Sequence, residues 1–165
     1  IGFHIRFHRA GALFARCWLL VEGETEVWLF NELARQCGYD LAAEGVQIVE
    51  FAQSGLKSLV KVAQEFGIDW HVVTDGDPAG KKYAHTVRVH LNNDQERHRL
   101  TELPDRDIEH FLYNNGFEIF FKDIIKVPRD HPIPAKKVVN RVLKKQAKPD
   151  LALAIVAHCL SLIHI

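Results

Sequence analysis

The stretch Cys17-Trp18-Leu19-Leu20-Val21-Glu22-Gly23-Glu24-Thr25-Glu26 decides the fold of this chain. Its first half, Cys17 to Val21, is a continuous apolar run, which is typical of a strand buried on both faces of a parallel sheet. Apolar residues then recur with helical spacing from Val27 to Ala34, and Gly38 stands where a helix C-cap belongs. The spacing predicts a helix over residues 24–37, directly after the strand.

The same alternation of strand and helix continues along the chain. Val46 to Phe51 is predicted as a second strand, and Trp70 to Thr74 as a third that runs into Asp75-Gly76-Asp77-Pro78. A helix between them opens at Ser54-Gly55 and closes at Gly67. Such alternation with short connections predicts an α/β fold, a parallel sheet flanked by helices. Later predicted elements are a strand over 98–103 and helices over 79–90, 107–115, 135–146 and 150–163, with 117–126 ambiguous.

The composition is that of a globular domain. Of the 165 residues, 47% are hydrophobic and 25% are charged, which disfavours disordered and fibrous classes. No apolar run reaches the 18 or so residues that a membrane-spanning helix needs, so no membrane contact is expected. Because the chain starts at Ile1 without methionine, we expect a piece of a longer protein.

Cys17, Cys37 and Cys159 are widely spaced and form no CxxC motif, which argues against a disulfide framework or a zinc site. This cysteine usage favours a reducing cytoplasm.

The net charge of zero conceals two regions of opposite sign. Residues 1–121 carry 18 acidic and 12 basic side chains, whereas residues 122–148 carry nine basic against two acidic ones. An acidic body with a basic appendage suits a metal centre beside a surface that holds a polyanion. The alternative is that the basic stretch is simply a solvated helix face.

Acidic side chains follow the first and third predicted strands. Glu22 and Asp75 come directly after these strands, where open α/β sheets place their ligand sites. Glu26 lies one helical turn beyond Glu22, and Asp77 projects to the same side as Asp75. Four converging carboxylates predict an all-oxygen site for Mg²⁺ or Mn²⁺. Alternatively, residues 75–78 form only a turn and the glutamates only complement a helix dipole.

These residues also carry a resemblance to a known domain. Leu20 to Glu26, followed by an apolar strand and Asp75-Gly76-Asp77, resemble the Toprim domain shared by topoisomerases, primases and some nucleases. The form Val-Glu-Gly-x-x-Glu is similar to the overcoming-lysogenization-defect (OLD) family of ATP-dependent endonucleases, in which the Toprim domain follows an ABC-type ATPase domain. The segments 107–113 and 148–154 also resemble that family's C-terminal half.

The resemblance implies an endonuclease that hydrolyses DNA phosphodiester bonds with two Mg²⁺ or Mn²⁺ ions. It places Glu22 and Glu26 on one ion and Asp75 and Asp77 on the other, with Glu109 as a further ligand. Thr74 would assist at the metal site through its backbone or its hydroxyl group. The implied catalytic residues are Glu22, Asp75 and Lys148. The DNA backbone would be held by the basic stretch, at Lys136, Lys137, Arg141, Lys144 and Lys145.

The domain organisation follows from the same reading. We expect residues 1–15 to end a preceding region, 16–126 to form the Toprim α/β domain and 127–165 to form a basic helical extension. The expected partners are DNA, the N-terminal ATPase domain outside this chain and a second copy in a homodimer. Gly76 to Lys82 departs from the Walker A spacing, so no ATP site is expected here.

Two other functions stay open from the sequence alone. A metal-dependent phosphotransferase or phosphatase acting on a small molecule also uses acids at strand ends. A Toprim fold that has lost its activity would serve as an interaction module.

Overall fold

The sheet has four parallel strands in the computed structural model, which describes residues 10–52 and 54–163. The strands are β1 (Cys17–Val21), β2 (Val46–Glu50), β3 (Asp69–Thr74) and β4 (Leu100–Glu102). They lie in the sheet in the order β2-β1-β3-β4. The predicted α/β class with a parallel sheet is confirmed, and the first three strands lie where the apolar runs placed them.

Helices connect and cover these strands. They are α1 (Glu24–Gln36), α2 (Leu56–Phe66), α3 (Pro78–Val89), α4 (Ile108–Leu112), α5 (Glu118–Ile124), α6 (Ala135–Lys145) and α7 (Lys148–Ile163). A kink at Asn115 and Gly116 separates α4 from α5, and the φ of 108° at Gly116 is a conformation that favours glycine. Within the described residues, no helix is both long enough and apolar enough to cross a membrane.

Three elements differ from the sequence prediction. The strand expected over 98–103 is confined to β4, because a 3₁₀ turn at Glu96–His98 precedes it. The ambiguous segment 117–126 contains the helix α5. Helix α7 begins at Lys148 rather than at residue 150, since a proline in the first turn loses no intrahelical hydrogen bond.

The two faces of the sheet are covered by different helices. On one face, Trp18, Leu20 and Val72 pack in a core that also contains residues of α2 and α3. On the other face, Val21 and Ile48 pack in a smaller cluster with side chains of α1. Burial on both faces explains why β1 reads as an uninterrupted apolar run.

The C-terminal helices share a core with the sheet domain. Leu29 of α1, Phe121 of α5, Val139 of α6 and Leu151 of α7 belong to one buried cluster. Helix α7 packs along α1, the helix that follows the first acidic strand end. The domain boundary at residue 126 stays a prediction, and helices on both sides of it contribute to this cluster.

Backbone segments approach very closely at the start of α3. A Cβ atom on Gly80 would lie 1.9 Å from the carbonyl oxygen of Asp75, far inside van der Waals contact. A Cβ atom on Gly76 would similarly lie 2.4 Å from the carbonyl oxygen of Asp105. Glycine at these two positions therefore lets the loop after β3 fold tightly against α3 and the chain after β4.

We predict that Gly80→Ala destabilises the fold by roughly 1–3 kcal/mol, because the added methyl group must displace backbone rather than a flexible side chain. Urea unfolding followed by circular dichroism measures this loss. Gly11→Ala is the matched control, since a Cβ atom there would meet nothing within 4 Å. Equal midpoints for the two variants would contradict the close approach.

Candidate metal centre

The acidic side chains are brought together by the parallel pairing of β1 and β3. Leu20 is in register with Val72, so Glu22 and Asp75 leave neighbouring strands at the same edge of the sheet. Glu26 lies in the first turn of α1 and is buried. Asp77 is the N-cap of α3, where its Oδ1 accepts the Gly80 N–H at 2.8 Å. That bond leaves the second oxygen of Asp77 available to a ligand.

A cleft of about 350 Å³ lies at this edge. Its charged lining residues are Glu22, Glu26, Asp75, Asp77, Arg106, Asp107, Glu109 and Lys148. The structure therefore gathers all five carboxylates predicted as metal ligands, together with the lysine predicted to assist catalysis. Two segments distant in sequence, at the start of α4 and the start of α7, complete the wall.

Two of the wall carboxylates are held by specific contacts. Asp107 Oδ1 accepts hydrogen bonds from the His110 backbone N–H at 2.8 Å and from His110 Nδ1 at 2.6 Å. Glu109 is 3% exposed, and its Oε1 accepts the Thr25 hydroxyl at 3.1 Å. The Lys148 ammonium lies 3.9 Å from the same oxygen. One oxygen of each carboxylate is thus already engaged within the protein.

Other polar atoms of the site are buried without a partner. Among the described residues, Glu22 Oε2, Asp75 Oδ1 and the Thr74 hydroxyl are buried and make no hydrogen bond. Such atoms are costly unless a ligand satisfies them, and carboxylate oxygens are the donors that Mg²⁺ and Mn²⁺ prefer. The residues present therefore fit a hard divalent cation. Within the described part of the chain, no three ligating side chains already form a metal cage, so the individual ligand roles stay predictions.

Burial and mutual repulsion shift the titration of these groups. Burial, followed by the charges of Glu26 and Glu22, raises the pKa of Asp75 to about 8. Burial and the charge of Glu109 raise the pKa of Glu26 to about 6, against the effect of Lys148. The pKa of Glu22 is raised by burial and then by Asp77. The cluster as a whole therefore favours protons or cations among its oxygens.

The basic stretch 122–148 does not form one continuous surface. Lys122 is buried, and its ammonium contacts Glu118 at 2.6 Å and the Arg129 carbonyl at 2.7 Å, so its charge stabilises the fold locally. Lys145 is exposed, but its ammonium donates to the Ile124 carbonyl. The other predicted DNA-binding residues, Lys136, Lys137, Arg141 and Lys144, are also exposed on α6.

Three residues at or behind the cleft were not identified as site residues from the sequence. Asp107 was interpreted only as the start of a helix, a role that it also fulfils. A weaker signal was present, because Asp107 lies in the connection after β4, although not directly at the strand end as Asp75 does after β3. Arg106 lines the cleft beside it. Thr25 carried no signal of its own, since its bond to Glu109 spans 84 residues.

We predict that the metal-free protein loses stability as the pH rises from about 4 to about 8. The folded state holds the Asp75 proton more tightly than the unfolded chain, so the stabilisation is complete below the unfolded pKa and is lost as the pH passes through about 8. Asp75→Asn removes this contribution and flattens the curve. The measurement is the melting temperature against pH with a chelator present, with Asp130→Asn on the exposed surface as control. Parallel curves for wild type and Asp75→Asn would contradict the raised pKa of Asp75.

Comparison with known proteins agrees with this geometry. Residues 13–77 match the family described as "Overcoming lysogenization defect protein-like, TOPRIM domain". The uncharacterized protein YbjD of Escherichia coli (strain K12) is 56% identical over 157 residues, which cover 94% of this chain and 28% of that protein. The chain thus spans only about a quarter of the length of this curated relative.

Solved structures show the same fold. The C-terminal region of the Burkholderia pseudomallei OLD protein superposes with a TM-score of 0.66 at 17% identity, covering 88% of this chain and 89% of that one. The C-terminal region of the Xanthomonas campestris pv. campestris OLD protein gives a TM-score of 0.66 at 17% identity, covering 87% and 84%. At such identities the likeness establishes the fold alone. Together with the matched domain, it confirms the resemblance drawn from the motifs: residues 13–77 match an OLD-like TOPRIM domain, and the chain has the fold of the C-terminal regions of OLD proteins.

Proposed function

We propose that this chain is the nuclease part of a longer protein and hydrolyses phosphodiester bonds of DNA with two Mg²⁺ or Mn²⁺ ions. The observation that carries the proposal is the cleft, where carboxylates from the ends of β1 and β3 and from the start of α4 meet beside a lysine. Buried carboxylate oxygens without partners in that cleft are suited to hard cations.

The residues of the cleft would have two different roles, cation binding and stabilisation of charge on the phosphate. Glu22, Glu26, Asp75, Asp77 and Glu109 would hold the cations. Bound divalent ions at such a site supply an activated water and stabilise negative charge on the attacked phosphate. Lys148 lines the cleft and its side chain is half-exposed, so its ammonium can donate to a phosphate oxygen while remaining near Glu109. We assign it the stabilisation of charge that develops during cleavage.

The exposed basic residues of α6 would hold the nucleic-acid backbone. Leu143, near the C-terminal end of α6, lines the cleft, and α7 begins only a few residues later at Lys148. The positive surface of α6 therefore leads to the acidic centre. Contacts of lysine and arginine with phosphates are independent of sequence and sensitive to salt.

The part of the longer protein outside this chain is proposed from comparison with its relatives. Since the chain covers 28% of YbjD, we propose that further domains accompany it there. The family resemblance assigns an ATPase domain to that part, and a homodimer and a cytoplasmic location stay proposals. Cys17, Cys37 and Cys159 are unpaired, which suits a reducing compartment.

We predict that Glu22→Ala abolishes Mn²⁺-dependent nicking of plasmid DNA while the fold survives, because the change deletes a ligand and also relieves repulsion. Glu65→Ala, on the exposed surface of α2, is the control and should keep full activity. A parallel assay on a small phosphomonoester separates the nuclease from a phosphatase. Full nicking by Glu22→Ala, or turnover of the phosphomonoester alone, would overturn the proposal.

Binding and turnover should depend on different lysines. Replacing Lys136, Lys137 and Lys144 with Gln is expected to weaken binding of unrelated duplexes equally and to lower the salt slope by about 0.9 per lost contact. Lys148→Gln is expected to lower turnover at saturating DNA with little change in affinity. Lys57→Gln and Lys61→Gln on α2 serve as controls for the loss of charge. Unchanged binding and salt dependence in the α6 variant would favour the alternative interpretation, in which these lysines are simply a solvated helix face.

A further inference from the structure

Thr25 is a fully buried threonine next to Glu26, which lines the cleft. It lies in the first turn of α1, is 0% exposed, and donates its hydroxyl to Oε1 of Glu109 in α4 at 3.1 Å. We propose that Thr25 is a positioning residue that fixes the Glu109 carboxylate so that its second oxygen serves the cation site. The inference rests on the proposed function, because it assigns Thr25 a role through one of the metal ligands.

One carboxylate oxygen of Glu109 is bound within the protein, and the other is available to a ligand. Oε1 accepts the Thr25 hydroxyl and lies 3.9 Å from the Lys148 ammonium. The Thr25 hydroxyl donates to this oxygen and the Lys148 ammonium forms a longer ion pair with it, so rotation of the carboxylate would disturb both contacts. Oε2 remains for the cleft that Glu109 lines. Hydrogen bonds behind a ligand commonly set its orientation and tune its affinity for a metal.

A neutral donor is needed here because the carboxylates repel one another. Glu109 lines the same cleft as Glu26 and Asp75, so its negative charge adds to theirs. A glutamate side chain with several rotatable bonds would relieve that repulsion by moving away, and holding it costs conformational entropy. Lys148 is half-exposed and therefore screened, whereas the Thr25 hydroxyl acts from the buried side. The hydroxyl thus supplies the fixed contact.

The competing role is purely structural. The Thr25 hydroxyl also joins α1 to α4, and a tether of this kind would stabilise the fold without affecting the cation site. Two measurements distinguish these roles. One is the metal affinity of a Thr25 variant, determined separately from its stability, and the other is whether the loss of affinity depends on Glu109.

The experiment compares Mn²⁺ affinities by isothermal titration calorimetry on the folded chain, with no substrate present. Thr25→Val preserves the shape of the side chain and removes the hydroxyl, and we expect it to weaken Mn²⁺ binding by about 10- to 100-fold. Thr25→Ser restores the hydroxyl and should restore the affinity. Thr86→Val is the matched control, because the Thr86 hydroxyl donates to the Lys82 carbonyl of its own helix and Thr86 does not line the cleft.

A double-variant cycle tests whether Thr25 acts through Glu109. Glu109→Gln alone should weaken Mn²⁺ binding, and adding Thr25→Val should produce little further loss, because its target is already altered. Independent, additive losses would overturn the inference. If Thr25→Val does not fold, Thr25→Ala replaces it, and failure of both to fold would assign a structural role and overturn the inference.

The outcomes distinguish this inference from the proposed function. Absence of Mn²⁺ binding by the wild-type chain would overturn both. Wild-type binding that Glu109→Gln weakens and Thr25→Val leaves unchanged would overturn the role of Thr25 and keep the proposed function.

Discussion

The parallel pairing of β1 with β3 is the constraint on which the site depends. Adjacent strands in a sheet lie about 4.8 Å apart, and the carboxyl ends of parallel strands share one edge. Glu22 and Asp75 follow these two strands and are therefore forced together whatever their charges prefer. Burial raises the pKa of both groups, and repulsion adds to it, from Asp77 at Glu22 and from Glu26 and Glu22 at Asp75. Every later feature of the cleft either adds to this repulsion or offsets it.

The C-terminal helices complete the site as well as the core. Helix α7 packs along α1, and its first residue, Lys148, reaches the carboxylate of Glu109. This places a positive charge beside a cluster that the sheet alone would leave negative. The residues read from the sequence as a basic appendage therefore have two roles. Their apolar side chains complete a core with Leu29, and Lys148 reaches into the cleft.

The sequence predicted the elements that local pattern determines and missed those that distant contacts determine. Strands β1 and β3 are buried on both faces, so their apolar runs identify them. The strand predicted over 98–103 contains β4, but its observed extent, Leu100–Glu102, is set by the preceding 3₁₀ turn and by pairing with β3, which no local pattern reveals. The sequence includes Lys122 in the basic stretch, but its side chain is buried and forms an ion pair with Glu118. The partners of Glu109 likewise emerge only when α1, α4 and α7 meet.

Stability and chemistry oppose each other at this edge of the sheet. A folded chain gains nothing from buried carboxylates that repel, so the surrounding core must offset their cost in the absence of cations. The close backbone packing at Gly76 and Gly80 keeps the loop after β3 from swinging away and relieving the repulsion. A loop held in this way keeps Asp75 and Asp77 near the other carboxylates of the cleft, so a cation bound there would need little backbone movement to gather them. On this view, the tight turn beside Asp75 matters as much to the chemistry as the carboxylate itself, because it keeps the charges together.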